Sequence, residues 1–351
     1  MTLKVGLTCN LKKQPCTDEG MPEDFYAEFD DEETVNAIAK ALRKGECEVS
    51  KIEADEEAYD KLIKLRPDIV FNIAEGLCGE SRESHIPAIL EMLGIPYTGS
   101  GPLTLAISLD KALTHQILSF NGVPSPSFQV FKRAKEKLDK RLSFPLVVKP
   151  LCEGSSKGIR NSSLVRDETQ LKNQVSWVIK TYNQLAIVEE FLPGREFTIG
   201  LIGNDRPTVL PIVEILLDKL PESASPIYSY EAKWILDVPE KPLDIFQCPA
   251  YIPQDLERKI KQIAVKTFKV LNCRDVCRID MRLDRNNEPR ILEVNPLPGM
   301  IPNPDAHSCL PEAARAAGFT YDQLICTILW QALKRCGMQH LFRNRSLIKL
   351  L

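Results

Sequence analysis

Apolar and polar positions along the first hundred residues follow two rhythms. "LKVGLT" (3–8), "CEVSKIEA" (47–54) and "DIVFNIA" (68–74) read as strands. Between them, "DEETVNAIAKALRKG" (31–45) and "DEEAYDKLIKLRP" (55–67) read as helices. The first has acids at its start and Lys and Gly at its end; the second stops before Pro67. "HIPAILEMLG" (85–94) adds a short helix, and Pro22 with the acidic "DFYAEFDDEE" marks a long loop after the first strand. Strands alternating with helices predict a small parallel α/β domain. A second unit follows. Helix "DKALTHQILSFNGVP" leads into strands "SFQVFK", "FPLVVKP", "NSSLVR" and "LAIVEEF", with an amphipathic helix over 167–181. The third unit opens with "REFTIGLIG" and "PTVLPIVEI". Its helix 254–271 places Leu256, Ile260, Ile263, Ala264, Phe268 and Leu271 on one stripe; a hairpin over 277–300 and a closing helix "YDQLICTILWQALKR" complete it. These boundaries divide the chain into 1–104, 105–190, 191–338 and a basic, apolar tail 339–351, a docking segment or a frayed end.

Composition narrows the function. A length of 351 residues suits two or three domains. A net charge of −3 leaves no electrostatic footprint for nucleic acid or an anionic membrane, and no apolar run reaches the length of a membrane span. The N-terminus has no signal-peptide core. Eleven cysteines, an odd number scattered through strands and helices, fit reduced thiols and a cytoplasmic protein. Cys273 and Cys277 stand without a second pair or a His cluster, so they read as core thiols rather than metal ligands.

The chemistry concentrates in a few stretches. In "CRIDMRLDRNNEPRILEVNP", a turn at 284–288 joins two strands. Arg278 and Asp280 lie two apart on one strand, and Glu293 and Asn295 two apart on the other, so each pair shares a face. If the faces coincide, hard oxygen ligands suited to Mg²⁺ meet a guanidinium suited to a phosphoryl group in transfer. In "FPLVVKPLCEGSSKGI", an apolar strand ends on Lys149, a point charge for phosphate, before a Gly-Ser loop that could cover phosphate oxygens. This is no Walker A loop, and no G-x-G-x-x-G follows the first strand, which sets aside a dinucleotide-dependent oxidoreductase. "IVEEFLPGREF" supplies Glu189, Glu190 and Glu196 as acceptors for an amine and a ribose hydroxyl. Taken singly, each stretch reads equally as a turn or a solvated strand end.

Taken in order, "SLDKALTHQIL", "FPLVVKPLCEGSSKGI", "IVEEFLPGREFTIGLIGND", "YSYEAKW", "CRIDMRLD" and "EVNPLPGM" resemble, in sequence and spacing, the ATP-grasp enzymes, and among them the D-alanine–D-alanine ligase branch. The resemblance spans about residues 70 to 335. It implies an α/β ATP-grasp fold: a Rossmann-like parallel N-terminal domain and two α+β domains gripping ATP. The implied reaction makes an acyl phosphate from a carboxylate, then an amide from an amine. Lys111, Lys149 and Ser156 would contact the nucleotide phosphates. Glu189 would accept from the adenine amine, the backbone near Leu192, with Glu190 and Phe191, would read the ring edge, and Glu196 would hold the ribose. Asp280, Glu293 and Asn295 would hold two Mg²⁺ ions, with Mn²⁺ able to replace them. Arg278, Lys233, the Gly299 backbone and Ser155 would form the catalytic set, under a lid at Cys152–Gly158. Ligases of that branch are often dimers through the N-terminal domain, which makes a homodimer one possible assembly.

The sequence departs from that branch on the substrate side. "GLTCNLKKQPC" replaces the family's N-terminal Gly-Gly-Ser-Glu motif, with Asp31 or Glu32 as candidate substitutes. Glu75 replaces a histidine, and Glu80 would keep a family glutamate, with Arg82 and Glu83 as additions; Glu75 with Glu80 would favour a cationic group on the first substrate. Trp234 replaces a tyrosine that helps choose the acceptor. Pro304 falls where a serine would bind the acceptor carboxylate, leaving Asn303 to serve. The expected function is an ATP-dependent carboxylate–amine ligase on substrates other than two D-alanines. The alternatives are D-alanine–D-alanine ligation itself and a non-catalytic ATP-binding regulator.

Overall fold

The computed structural model describes residues 2–12, 21–237, 243–306 and 308–349. Residues 13–16 of the divergent N-terminal stretch and Leu350 and Leu351 of the tail, all read above, lie outside that set.

The first layer contains β1 (Lys4–Cys9), α1 (Glu32–Lys44), β2 (Glu48–Glu53), α2 (Ala58–Leu65), β3 (Ile69–Asn72) and α3 (His85–Leu93). Its strands run parallel in the order β2-β1-β3. β1 is buried from Val5 through Cys9, as a parallel strand covered on both faces must be. Asp31 caps α1, accepting from the Thr34 backbone N–H at 2.8 Å, and the acids Glu32 and Glu33 follow in the positive first turn.

Two short helices follow, α4 (Pro102–Leu109) and α5 (Lys111–Phe120). α4 spans the junction drawn at residue 104. The sequence pattern misses it because its eight residues carry no polar stripe: Leu105 and Leu109 are buried while Leu103 is exposed. Pro102 occupies its first position, where the missing N–H costs nothing. Asp110 turns the chain and caps α5 through the Leu113 N–H, fixing where Lys111 begins.

The second sheet holds β4 (Phe128–Phe131), β5 (Leu146–Pro150), β6 (Leu164–Val165) and, after α6 (Glu168–Tyr182), β7 (Ala186–Glu190), in the antiparallel order β4-β7-β5-β6. The third comprises β8 (Glu196–Gly203), β9 (Thr208–Val209), β10 (Val213–Ile215), β11 (Phe246–Gln247), then, after α7 (Gln254–Val270), β12 (Asp275–Leu283) and β13 (Pro289–Asn295). Its order is β11-β10-β8-β12-β13, with β9 also on β8. α8 (Cys309–Ala316) and α9 (Tyr321–Arg335) close the chain.

Period-two alternation sorts these strands into a packed face and a cleft face. On β5 and β7, Leu146, Val148, Ala186 and Val188 pack beneath α6 with Leu171 and Val175, leaving Lys149 and Glu189 for the opposite side. On β8 and β12, Phe197, Ile199, Leu201, Cys277, Ile279 and Met281 pack against Ile260, Ala264 and Phe268 of α7. Glu196, Thr198, Arg278, Asp280 and Arg282 therefore face the cleft. α9 lies against α1 and joins the first layer to the third in one core. Phe342 of the tail is buried in that core, and Lys349 donates to the Gly318 carbonyl, so the tail is docked as far as Lys349. Among the described residues no helix is long and apolar enough to cross a membrane.

Candidate active site

The three sheets wall one deep cleft. Its floor is the β12–β13 hairpin. Arg278 pairs with Asn295 and Asp280 with Glu293, so the two faces that the sequence left conditional do coincide. The register shifts between Asp280 and Met281, with Leu292 as the extra residue. That bulge keeps Glu293 and Asn295 toward the cleft while Ile291 stays in the core.

Each polar group on this floor is held. Arg278 donates from Nη2 to Asp280 Oδ2 at 2.8 Å and from Nε to Oδ1 at 3.1 Å. Asp280 also accepts from the Thr198 hydroxyl at 2.7 Å and from Asn295 Nδ2 at 3.0 Å. Glu293 pairs with Lys111 Nζ at 2.7 Å. Burial works against the Lys111 charge, but Glu293 more than offsets it and holds the ammonium above its ordinary range. Two carboxylates opposite each other with an amide beside them form an oxygen-rich ledge open to the cleft. Its chemistry fits Mg²⁺ sharing ligands with phosphate, since it is too small to enclose an ion unaided. Among the described residues, no three His, Cys, Asp or Glu side chains are grouped to hold a metal by themselves.

The roof is the second sheet. Glu189 is almost fully buried and lies between Lys149 and His115, accepting from Lys149 Nζ at 2.6 Å and facing His115 Nε2 at 3.1 Å. Burial alone would raise its pKa; Lys149 and His115 overturn that and hold it at about 2. His115 was not foreseen; its only signal is its place one turn after Lys111 on α5. Glu190 Oε1 accepts from the Ser127 N–H, and buried Leu192 lines the cleft. Glu196 pairs with Arg282 at 3.3 Å, and the Arg282 guanidinium lies 4.9 Å from the Phe191 ring centre. Arg282 was also missed, although it is the next cleft-facing position after Asp280.

One side wall comes from residues 231–236, a π-helical turn that presents Lys233 and Trp234. Burial, with Arg278 nearby, pushes Lys233 down to about 8. The Trp234 indole donates to the Ser155 carbonyl at 3.1 Å. Gly299 also lines the cleft; its carbonyl accepts from the Ser308 hydroxyl.

The Gly-Ser loop is clamped from both sides. Glu28 Oε1 accepts from the Gly154 N–H at 2.7 Å, and Asp24 Oδ2 from the Gly158 N–H at 2.9 Å. From the third sheet's side, Trp234 holds Ser155, and the Ser156 hydroxyl donates to the Tyr228 carbonyl. Ser155 and Ser156 both have positive φ, +49° and +61°, a turn that aims consecutive backbone N–H groups one way. Gly158 has φ +70°, and a Cβ there would stand 2.2 Å from Pro150 Cγ. Gly158→Ala is therefore expected to cost about 2–4 kcal/mol, left-handed strain plus a clash. Gly94→Ala, with φ +67° and open space, should cost only about 1 kcal/mol. Denaturant midpoints of the two variants check this.

The far wall belongs to the first layer and carries acids: Asp30, Asp31, Glu75 and Glu83 line it. Two expectations need correction here. Glu80 is exposed in the turn 78–81 and does not line the cleft; the short 3₁₀ turn Arg82–Ser84 carries Glu83 inward instead. Asn303 does not line the cleft either. Its Oδ1 caps its own turn through the Asp305 N–H at 3.0 Å. The other residues given a catalytic, nucleotide, metal or substrate role from sequence all border the cleft, as does Asp31, whereas Glu32 and Arg82 do not.

A family model for the D-ala D-ala ligase C-terminus matches residues 117–330. An uncharacterized protein, y4sG, of Sinorhizobium fredii is 38% identical, covering 86% of this chain and 87% of its own. A D-alanine–D-alanine ligase of Pelotomaculum thermopropionicum is 34% identical, covering 87% and 93%. Among solved structures, D-alanine–D-alanine ligase from Bacillus anthracis superposes with a TM-score of 0.71 at 25% identity, over 96% of this chain and 99% of that one.

Proposed function

The chain belongs to the D-alanine–D-alanine ligase family, and from that premise we propose that it is an ATP-dependent ligase joining an amino-acid-like carboxylate to an amine, with a substrate pair other than two D-alanines. The observation that carries the ligase reading is the convergence of Arg278, Asp280, Glu293 and Asn295 on the cleft floor, with Lys111 and Lys149 reaching in from the second unit. ATP supplies the phosphoryl group that turns the carboxylate into an acyl phosphate; the amine then displaces phosphate to give the amide. Asp280, Glu293 and Asn295 would hold Mg²⁺. Lys111 and Lys149 would face the nucleotide's phosphates, Lys233 the γ-phosphate, and Arg278 the charge on the phosphoryl in transfer and on the tetrahedral intermediate. The Gly299 backbone would serve the same charge. The clamped loop Cys152–Gly158 would exclude water from a bond that water would cleave.

The substrate half of the reading rests on the acidic wall and on Trp234. An indole tied to the lid leaves less room than a phenol and offers its one donor to Ser155. The test is ADP release with Mg²⁺ and single amino acids of both hands, then pairs, with mass spectrometry of the product. Turnover is expected with a pair that excludes D-alanine from at least one position. A D-alanyl-D-alanine product from D-alanine alone would overturn the substrate half. ATP binding with no ADP across the panel, and basal hydrolysis equal in native protein and Asp280→Asn, would favour the ATP-binding regulator.

A further inference from the structure

The charges between the lid and the first layer balance in one place and fail to balance in another. Glu28 and Glu153 face Arg82 and Lys157: Arg82 Nη2 lies 2.7 Å from Glu28 and 3.1 Å from Glu153, and Lys157 Nζ lies 3.3 Å and 2.6 Å from them. Those two acids and two bases form a closed set. Lys111 is committed to Glu293, and Asp31 to the N-terminus of α1.

What remains on the wall is Asp30, Glu75 and Glu83. Glu83 is 9% exposed and borders the cleft. Among the described residues, none of these three side chains makes a hydrogen bond or an ion pair. Lys12, placed 4.9 Å from the Trp234 ring centre, acts on Asp30 from a distance. Arg82, and for Glu83 also Lys111, act on this pair from a distance, but neither gives it a hydrogen bond or an ion pair. Burial and the neighbouring acids accordingly push Glu83 up to about 8 and Glu75 well above its ordinary range. A cation brought against so desolvated a carboxyl favours its ionised form and takes the place of the proton. The three acids are not grouped to hold a metal ion.

Resting on the ligase reading above, we infer that the carboxylate-bearing substrate is a basic amino acid whose side-chain ammonium or guanidinium lies against Glu75 and Glu83. One α-ammonium accounts for one of the surplus carboxylates and leaves another uncompensated; a second cationic group on the same molecule completes the pairing. The acceptor amine is a poor occupant of this wall. It must shed its proton to attack, and adjacent carboxylates hold the proton on.

The test compares isosteres: ornithine with norleucine, and 2,4-diaminobutyrate with norvaline, each in both hands. Each is supplied with ATP, Mg²⁺ and a mixed panel of acceptor amino acids, reading ADP and product mass. The basic member is expected to exceed its neutral isostere by at least about tenfold in kcat/KM. Glu83→Gln and Glu75→Gln should each reduce that ratio by about tenfold. Calorimetric titration of the native protein with ornithine and with norleucine gives the same comparison should either variant fail to fold. Equal or better use of neutral isosteres, or a ratio unmoved by both variants, overturns the inference and leaves the ligase reading standing. Absence of ADP release and of product with every amino acid overturns both.

Discussion

Arg278→Met is expected to lower the rate of product formation by about 10²–10³-fold, the scale for removing one preorganised donor from a developing charge. The arginine holds both oxygens of Asp280, at 2.8 and 3.1 Å, while its plane borders the cleft. It thereby fixes the carboxylate proposed to hold Mg²⁺ and would offer a cation to the proposed reacting centre. Arg278→Lys is not a rescue. A lysine is a point charge and cannot span two carboxylate oxygens, so a deficit of at least about tenfold should remain. The fold should survive, because the side chain stands on the cleft face, opposite the α7 core, and Asp280 keeps Thr198 and Asn295. Product formation above a tenth of native in Arg278→Met, at an unchanged denaturant midpoint, would remove Arg278 from this role.

Lys149→Met should show its largest effect in stability. It leaves the Glu189 carboxylate, 1% exposed, with His115 as its remaining partner. Breaking a buried pair by removing one member costs about 3–5 kcal/mol, and the retained imidazole places the expectation near the lower figure. The double variant Lys149→Met/Glu189→Gln, with no charge left to bury, should recover much of the loss. The pH dependence has a definite sign. In the native fold Glu189 is held near 2, below the 4.5 of a free carboxyl, so its contribution is complete above about 4.5 and fades as pH falls toward 2. In Lys149→Met that carboxyl protonates more readily. The gap between variant and native protein should therefore narrow on acidification. Urea midpoints at neutral pH and at pH 4 measure it, and a gap that widens would contradict the ion-pair account.

The sequence carried the cleft better than it carried the substrate wall, and the reason is periodicity. Arg278, Asp280, Glu293 and Asn295 stand on strands, where a spacing of two is enough to fix a shared face. Lys149 and Glu189 follow the same rule. The bulge at Leu292 was not legible, because one extra residue leaves no mark on composition. Glu80 and Glu83 lie in an irregular segment, where spacing does not fix direction, and a single short 3₁₀ turn decided which faced inward. His115 and Arg282 were within reach of the pattern but lay outside the motifs that drew attention. α4 and α8 escaped because eight residues give too few turns for a stripe to declare itself.

The doubly held Gly-Ser loop bears on the timing of turnover. Its contacts come from Asp24 and Glu28 on one flank and from Trp234 and Tyr228 on the other. Under the ligase reading, a spent nucleotide beneath this loop would depart only when both sets release together. Throughput would then follow how often the two flanks loosen together, while chemistry proceeds at the pace of bond exchange inside.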